Sequence, residues 1–215
     1  MRRSPSTHPG RNKVDNNLAM HIPITPLQPT RSFTGDATLG DTTVGDYWLW
    51  AYSDIIGNTN RGMLAQFIVA RALGDTRPAL DTWAPYDVVA HDGTKVEVKS
   101  AAYLQSWSQK RYSRITFSVA KTLEWDPTTG DWVGPNQIRQ SDAYVFALVA
   151  EKDKAKVNTL DLRQWEFYIV PTSLLNQELG DAKSISLTPL RQLASPVGVG
   201  GLRTSLALAV GDRVA

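Results

Sequence analysis

Cysteine is absent from the 215 residues of this chain. The absence excludes disulfide bonds, a thiolate nucleophile and cysteine zinc ligands, and it fits the reducing conditions of the cytoplasm. Histidine is scarce, and its three positions, His8, His21 and His91, are too scattered in the sequence for a histidine metal site. The chain is therefore expected to be cytoplasmic and to use neither cysteine nor a histidine cluster to hold a metal.

Long apolar runs and a charge excess are also missing. No apolar run approaches the roughly 18 residues needed to span a bilayer, so no membrane span is expected. No hydrophobic segment follows the basic start at Met1, Arg2 and Arg3, so no secretory signal is expected either. The 23 basic and 21 acidic residues give a formal net charge of +2. Such a balance carries no global signature of nucleic-acid binding, so any DNA site must be a local patch.

What is present is a composition sufficient for one folded domain. With 42% hydrophobic residues, a chain of this length buries one sizeable α/β core. Residues 1–43 are rich in Pro, Thr, Asn, Arg and Gly and are interpreted as a loosely ordered arm. Residues 44–195 carry the apolar patterns of a domain. Residues 196–215 are interpreted as a tail of unassigned role, with burial in a partner as one option.

The apolar patterns predict an α/β fold with a central mixed β-sheet flanked by α-helices. A helix over about residues 61–73 ends at Gly74, which is a C-terminal stop signal. The nearly continuous apolar runs at 142–149 and 165–170 are typical of strands that are buried on both faces. These strands are expected to belong to the central mixed sheet.

Two further segments are interpreted from their composition. Residues 45–53 contain four aromatic side chains, and this density favours a core anchor over a surface that stacks on bases. Residues 124–132 are rich in turn-forming residues and contain two tryptophans, so they are predicted to form a long polar loop. Loops of this kind often carry recognition residues.

The strongest local signal is a β-hairpin around the Asp-Gly pair at 92–93. Asp-Gly between two β-rich runs predicts a tight turn, and alternation along the second strand places Glu97 and Lys99 on one face, with the neighbouring valines toward the core. A two-residue turn pairs Asp87 with Val98, whereas a three-residue loop with a glycine bulge pairs Asp87 with Glu97. Both registers bring two carboxylates and one ammonium together.

This grouping suits hydrolysis of a phosphodiester. The carboxylates of Asp87 and Glu97 and a strand carbonyl, that of Val98, are oxygen ligands of the kind that Mg²⁺ prefers. Lys99, two residues after the second carboxylate, can orient or deprotonate a metal-bound water for attack on phosphorus. The plainer interpretation is a solvated hairpin edge, on which cross-strand pairs contribute roughly 0.2 to 1 kcal/mol each.

These residues resemble the PD-(D/E)XK motif of the restriction-endonuclease-like nuclease superfamily. Pro85, Asp87, a turn, and then Glu97, Val98 and Lys99 follow the motif, although the first acid lies one residue further from the proline than the motif name suggests. The resemblance implies a restriction-endonuclease-like core, two metal-binding acids and a catalytic lysine. It also implies Mg²⁺ as the cofactor, with Mn²⁺ as a substitute.

The resemblance extends beyond the motif, but one residue departs from the pattern of the superfamily. Segments 170–173 and 183–187 are similar to uncharacterised bacterial proteins of this class, so the resemblance spans roughly residues 45–193. In the superfamily, the helix before the motif often carries a glutamate that completes the metal site, and Gln66 occupies that place here. A carboxamide oxygen still ligates Mg²⁺ or holds a metal water, but it brings no charge, which implies weaker metal binding. A buried glutamine bonded to backbone, or an engineered Glu-to-Gln change, would explain the same residue.

Basic and amide side chains follow the hairpin. Gln105, Trp107, Lys110 and Arg111 are candidate nucleic-acid contacts, because basic and amide groups bind phosphates and a tryptophan stacks on bases or wedges between them. The alternative for this segment is a surface turn that carries a core tryptophan. The two interpretations differ in whether Trp107 is exposed.

The sequence therefore predicts a Mg²⁺-dependent DNA endonuclease or related phosphodiesterase. In it, Asp87 and Glu97 hold the metal, Lys99 activates water and Gln66 supports the site. Duplex DNA is the expected substrate ahead of single-stranded DNA, and the resemblance implies a homodimer as one arrangement. Two other classes stay open, namely a nucleic-acid-binding or assembly protein that has lost chemistry on this scaffold, and an enzyme for a different phosphoester.

Overall fold

The computed structural model describes residues 22–126 and 129–211. Residues 1–21 of the arm, with His8 and His21, and residues 212–215 of the tail lie outside the described residues. The described α-helices are α1 Val44–Tyr52, α2 Asn58–Leu73, α3 Thr172–Leu179, α4 Leu187–Leu193 and α5 Leu202–Val210. The described strands are β1 Val88–Val89, β2 Lys95–Ala102, β3 Thr116–Ser118, β4 Thr122–Asp126, β5 Asp131–Ile138, β6 Ala143–Val149, β7 Trp165–Pro171 and β8 Ser184–Ser186. Among these helices, none is long and apolar enough to cross a membrane.

The central sheet has the strand order β1, β2, β6, β7. β2 pairs antiparallel with β1 and parallel with β6, and β6 pairs antiparallel with β7. Every residue of β6 is buried, because the strand has a neighbour on each side and packed layers on both faces. The predicted buried strands at 142–149 and 165–170 are thereby confirmed.

Packed layers cover both faces of the sheet. On one face, α2 and α5 pack against the sheet through Ile68, Val69, Leu73, Leu202 and Leu206. On the other face, α3, α4, β3 and β8 pack against β6 and β7 through Phe117, Leu175, Ile185 and Leu190. The prediction of an α/β fold with a central mixed sheet flanked by helices is confirmed.

The helix that precedes the hairpin extends slightly further than predicted. α2 begins at Asn58, with Gly57 as its N-cap, and not at about residue 61. Its C-terminal end is as predicted, since Gly74 takes a left-handed conformation with φ of 78° and its N–H donates to the carbonyl of Ala70. α2 lies along β2, which brings the middle of the helix next to the hairpin.

The aromatic segment at 45–53 is not the core anchor that its composition suggested. It forms α1, in which Val44 is the buried residue and the aromatic side chains are exposed, with Trp50 85% exposed. At about 100° per residue, Tyr47, Trp48, Trp50 and Tyr52 point in several directions around the helix, so they cannot share one buried face. Aromatic density without helical periodicity does not define a core face.

Residues 124–132 do not form the predicted long loop. β4 and β5 pair antiparallel as a separate two-stranded hairpin, with Trp125 directly opposite Trp132. Cross-strand aromatic pairs stabilise such ribbons, and Gly130, with φ of 72°, provides the left-handed conformation before β5. The turn-forming residues belong to the connection between two strands and not to the whole segment.

The C-terminal segment packs on the domain. Leu202 and Leu206 of α5 are buried against α2 and the sheet, within the same core layer as the residues of α2. The carbonyl of Phe167 in β7 also accepts a hydrogen bond of 2.9 Å from the N–H of Val197, and the reciprocal bond has the same length. Leu202 and Leu206 of the predicted tail are therefore buried by the protein itself, whereas Leu208 is exposed.

Candidate active site

The β1–β2 hairpin fixes the relative positions of the predicted site residues. Val88 lies opposite Val96, and the N–H of Ala90 donates to the carbonyl of Thr94 at 2.9 Å. Three residues connect Ala90 and Thr94, and the last of them, Gly93, has φ of 87°. This is the three-residue loop with a glycine in the left-handed region, so the second of the two predicted registers is the one that forms.

Asp87 lies immediately before β1, and it contacts three other parts of the chain through its carboxylate and its backbone carbonyl. Its Oδ2 accepts a hydrogen bond of 2.7 Å from the N–H of Val98 in β2. Its Oδ1 accepts one of 2.9 Å from the Nε2 of Gln66 in α2. Its own backbone carbonyl accepts from Arg77 Nη2 at 2.5 Å. The helix before the motif and the second hairpin strand therefore meet at the Asp87 side chain, and the connection after the helix binds the backbone of the same residue.

Glu97 and Lys99 occupy the same face of β2, as the alternation predicted. They form an ion pair, and both side chains are partly buried. Val96 and Val98 point to the opposite face and are buried in the core. The strand thus presents one acid and one base toward Asp87 while its valines hold the strand in place.

The electrostatics of Asp87 reflect a buried carboxylate beside a second one. Burial is the larger cause and the charge of Glu97 the next, and together they raise the pKa of Asp87 to about 6. The N–H of Val98 and the cations of Lys99 and Arg77 act in the opposite direction. The carboxyl group of Asp87 therefore ionises at a higher pH than an exposed aspartate.

A cavity of about 420 Å³ brings these groups together, and it is called the site cavity below. Asp87, Glu97 and Lys99 all line it, as does Tyr144 of β6. Tyr144 lies beside Glu97 in the parallel register, and burial, then the charge of Glu97, raises the pKa of its hydroxyl to about 12. The phenol therefore stays protonated and is a hydrogen-bond donor at neutral pH.

Sequence reasoning missed Tyr144 and Arg77. Tyr144 belongs to a run that reads as wholly apolar, and its approach to Glu97 depends on a strand pairing that spans 47 positions of the chain. Arg77 binds the Asp75 carboxylate through both Nε and Nη2, and Asp75 Oδ2 in turn accepts from the N–H of Val89. The Asp-x-Arg spacing at 75–77 was a local signal for this clamp, which ties the connection to β1.

The oxygen donors of the site fit a small divalent cation. The N–H and C=O of a strand residue point to the same side, so the carbonyl of Val98 faces the edge at which its N–H binds Asp87. Gln66 Oε1 is buried, and no hydrogen-bond partner for it lies within the described residues. Two carboxylates, a carbonyl and a carboxamide are hard oxygen ligands. Within residues 22–126 and 129–211, however, no cluster of three or more His, Asp or Glu side chains is placed to hold a metal.

The predicted nucleic-acid contacts lie apart from the site cavity. Trp107, Lys110 and Arg111 are exposed and line an open depression on the loop that follows β2. Gln105 is only 6% exposed, and its amide binds Arg61, Ser113 and the carbonyl of Ala102 inside the loop. Trp107 is therefore a surface residue and not a core tryptophan, and Gln105 holds the loop from within.

Comparison with family models and with curated protein sequences gives no match for this chain.

Proposed function

We propose that this protein is a metal-dependent nuclease that hydrolyses phosphodiester bonds of DNA, with a PD-(D/E)XK site on a restriction-endonuclease-like core. One observation carries the proposal. Asp87, on one hairpin arm, binds the N–H of Val98 on the other arm, and this contact holds Asp87 beside the Glu97 and Lys99 that flank Val98 in sequence. All three charged side chains line the same cavity.

Asp87 and Glu97 would hold Mg²⁺ or Mn²⁺ together with the carbonyl of Val98. Burial, and after it the charge of Glu97, raise the pKa of Asp87, and a cation held by these residues would offset both by stabilising the ionised carboxylates. When bound, the metal ion neutralises charge at the phosphate and lowers the pKa of a water molecule. A cavity of about 420 Å³ has room for a phosphate and several waters.

Lys99 supplies the positive charge that this chain itself brings to the cavity. Its ammonium has three N–H donors and is held in place by Glu97. From there it orients the attacking water by a hydrogen bond and stabilises negative charge on a phosphate oxygen. Tyr144, protonated at neutral pH, offers one more donor from the floor of the cavity.

Gln66 positions Asp87. Its N–H₂ group donates to Asp87 Oδ1, which fixes the carboxylate toward β2. A neutral carboxamide adds no negative charge, so a site with Gln66 binds a divalent cation less tightly than one with a third carboxylate.

The first experiment is a cleavage assay with purified protein. Supercoiled plasmid, linear duplex and single-stranded DNA are incubated with Mg²⁺, with Mn²⁺ and with chelator. Asp87→Ala and Lys99→Ala are the test variants. Lys95→Ala is the matched control, because Lys95 lies on the same face of β2 but is not among the residues that line the site cavity.

Metal-dependent cleavage that is lost in Asp87→Ala and Lys99→Ala but kept in Lys95→Ala would support the proposal. Full cleavage by Lys99→Ala would overturn the role of Lys99, and absence of cleavage in every condition by a folded protein would overturn the nuclease assignment. Circular dichroism of each variant separates loss of chemistry from loss of fold.

A second candidate is a nucleic-acid-binding protein on the same scaffold without chemistry. The observation that favours it is the internal pairing of the site, since both Asp87 oxygens accept hydrogen bonds and Lys99 is paired with Glu97. Calorimetric titration with Mg²⁺ separates the two candidates. A silent site would give no Mg²⁺ binding that depends on Asp87.

A further inference from the structure

Three tryptophans from two parts of the chain form one wall of the site cavity. Trp83 lies on the connection before β1, Trp125 on β4 and Trp132 on β5. The Trp125 ring lies 6.0 Å from that of Trp83 and 5.1 Å from that of Trp132, between ring centres. Trp83 is 64% exposed and Trp132 is 61% exposed. Large aromatic surface therefore faces solvent next to the carboxylates.

Stability of the hairpin explains only part of this cluster. Trp125 and Trp132 are cross-strand partners at an edge-on angle of 69°, which is a stabilising pair in a two-stranded ribbon. Trp83, however, belongs to neither strand and reaches the pair from the loop that leads to Asp87. A residue that served the hairpin or the core alone would be expected to bury more of its ring.

The charges on the β4–β5 hairpin disfavour binding of a phosphate backbone along this wall. Residues 122–138, which form the β4–β5 hairpin, contain the acids Glu124, Asp126 and Asp131 and no lysine or arginine. Phosphates of a duplex would be repelled by such a surface, whereas the faces of nucleobases are uncharged and stack on indole rings. The basic side chains Lys110 and Arg111 lie instead on the loop after β2.

We infer that the tryptophan wall, defined as Trp83, Trp125 and Trp132, stacks unpaired nucleobases beside the phosphate in the site cavity. The inference rests on the proposed nuclease function and deepens it. The substrate class is a single strand, or an unpaired segment at the end or junction of a duplex, and not a fully paired duplex. Stacking on aromatic rings is tolerant of sequence, because every base has a π-face.

The test measures DNA binding without metal, so that it does not depend on catalysis. Fluorescence anisotropy follows a labelled oligothymidylate of about 12 nucleotides and a blunt duplex of the same length in chelator. Trp83→Leu and Trp132→Leu remove the stacking faces. Trp132→Phe keeps a smaller aromatic ring at the same position. Trp50→Leu is the control, because Trp50 is an exposed tryptophan that does not line the cavity.

Wild-type protein is expected to bind the single strand more tightly than the duplex. Each leucine variant should weaken single-strand binding by about fivefold to a hundredfold, with partial recovery in Trp132→Phe and no change in Trp50→Leu. Trp83 lies outside β4 and β5, so matching losses in Trp83→Leu and Trp132→Leu would indicate the shared aromatic surface, and near-ultraviolet circular dichroism of each variant checks that the hairpin is intact. Equal affinity for duplex and single strand, or leucine variants that bind like wild type, would overturn the inference.

Its failure can be told from failure of the nuclease assignment. Cleavage that persists unchanged in Trp83→Leu and Trp132→Leu would contradict the stacking role of the tryptophan wall and leave the nuclease assignment standing. Tryptophan-dependent binding by a protein that never cleaves DNA would support the stacking role of the tryptophan wall and contradict the nuclease assignment. A folded protein that binds neither DNA in chelator and cleaves no DNA with Mg²⁺ or Mn²⁺ would overturn both.

Discussion

The raised pKa of Asp87 makes the free energy of unfolding depend on pH in a direction that is opposite to that of an ordinary acid. Most native carboxylates have a lowered pKa, so a protein usually gains stability as pH rises above 4. Asp87 has a pKa of about 6 in the folded protein against a usual value of 3.8. The folded state therefore binds more protons than the unfolded state between these values, and the contribution of Asp87 to stability is lost as pH rises through 6.

The size of the effect follows from the pKa difference. The difference between a pKa of 3.8 and one of about 6 corresponds to a free energy on the order of 3 kcal/mol. About 2 kcal/mol of this is lost between about pH 4.5 and about pH 7.5. The contribution is fully present below about pH 4 and absent above about pH 7. A divalent cation bound between Asp87 and Glu97 should cancel the dependence, because it stabilises the ionised carboxylates.

The assay is urea unfolding in chelator, from about pH 4.5 to about pH 7.5, for wild type and Asp87→Asn. Other titrating groups are common to the two proteins and cancel in the difference of their unfolding free energies. Relative to Asp87→Asn, wild type should lose about 2 kcal/mol of unfolding free energy as pH rises over this range. Saturating Mg²⁺ should restore most of this loss. Asp41→Asn, which removes an exposed carboxylate, is the control. A difference that stays flat over this range would refute a buried Asp87 beside Glu97.

Two further substitutions test the site and the core. Gln66→Glu should lower the stability of the metal-free protein near pH 8 by about 1 to 3 kcal/mol, because a third carboxylate replaces the donor to Asp87. The same variant should bind Mg²⁺ roughly tenfold more tightly by calorimetry, and an unchanged affinity would argue against a metal at this position. Leu202→Ala should cost about 2 to 5 kcal/mol in urea unfolding, since Leu202 is fully buried in α5. Leu208→Ala, 74% exposed on the same helix, should change stability by less than about 0.5 kcal/mol, and equal effects would contradict the packing of α5.

Local patterns in the sequence were sufficient for much of the fold and of the candidate site. The Asp-Gly turn and the valine alternation fixed which faces of β2 carry Glu97 and Lys99, because both depend on neighbours within a few positions. The choice between the two hairpin registers could not be made from the turn residues, since both are compatible with Asp-Gly. The N–H of Val98, which binds Asp87 Oδ2, shows how the actual register holds the site together.

Features that depend on distant pairing could not be predicted in the same way. Tyr144 reaches Glu97 only through the parallel pairing of β6 with β2. Trp125 and Trp132 read as loop residues, because turn-forming residues dominate the segment between them and conceal the strand pairing. The prediction of a core anchor at residues 45–53 was wrong for another reason. It gave aromatic content more weight than the helical period, which spreads these side chains around the helix.

The short length of β1 has a structural consequence for the whole cavity. β1 pairs with β2 for two residues and begins only at Val88, so no strand among the described residues lies beside the edge of β2 beyond Val96. A longer β1 would occupy the N–H and C=O of Val98 with ladder hydrogen bonds, and the N–H could then not donate to Asp87 Oδ2. The late start of one edge strand thus leaves a backbone N–H of an interior strand to bind a side chain of the proposed site.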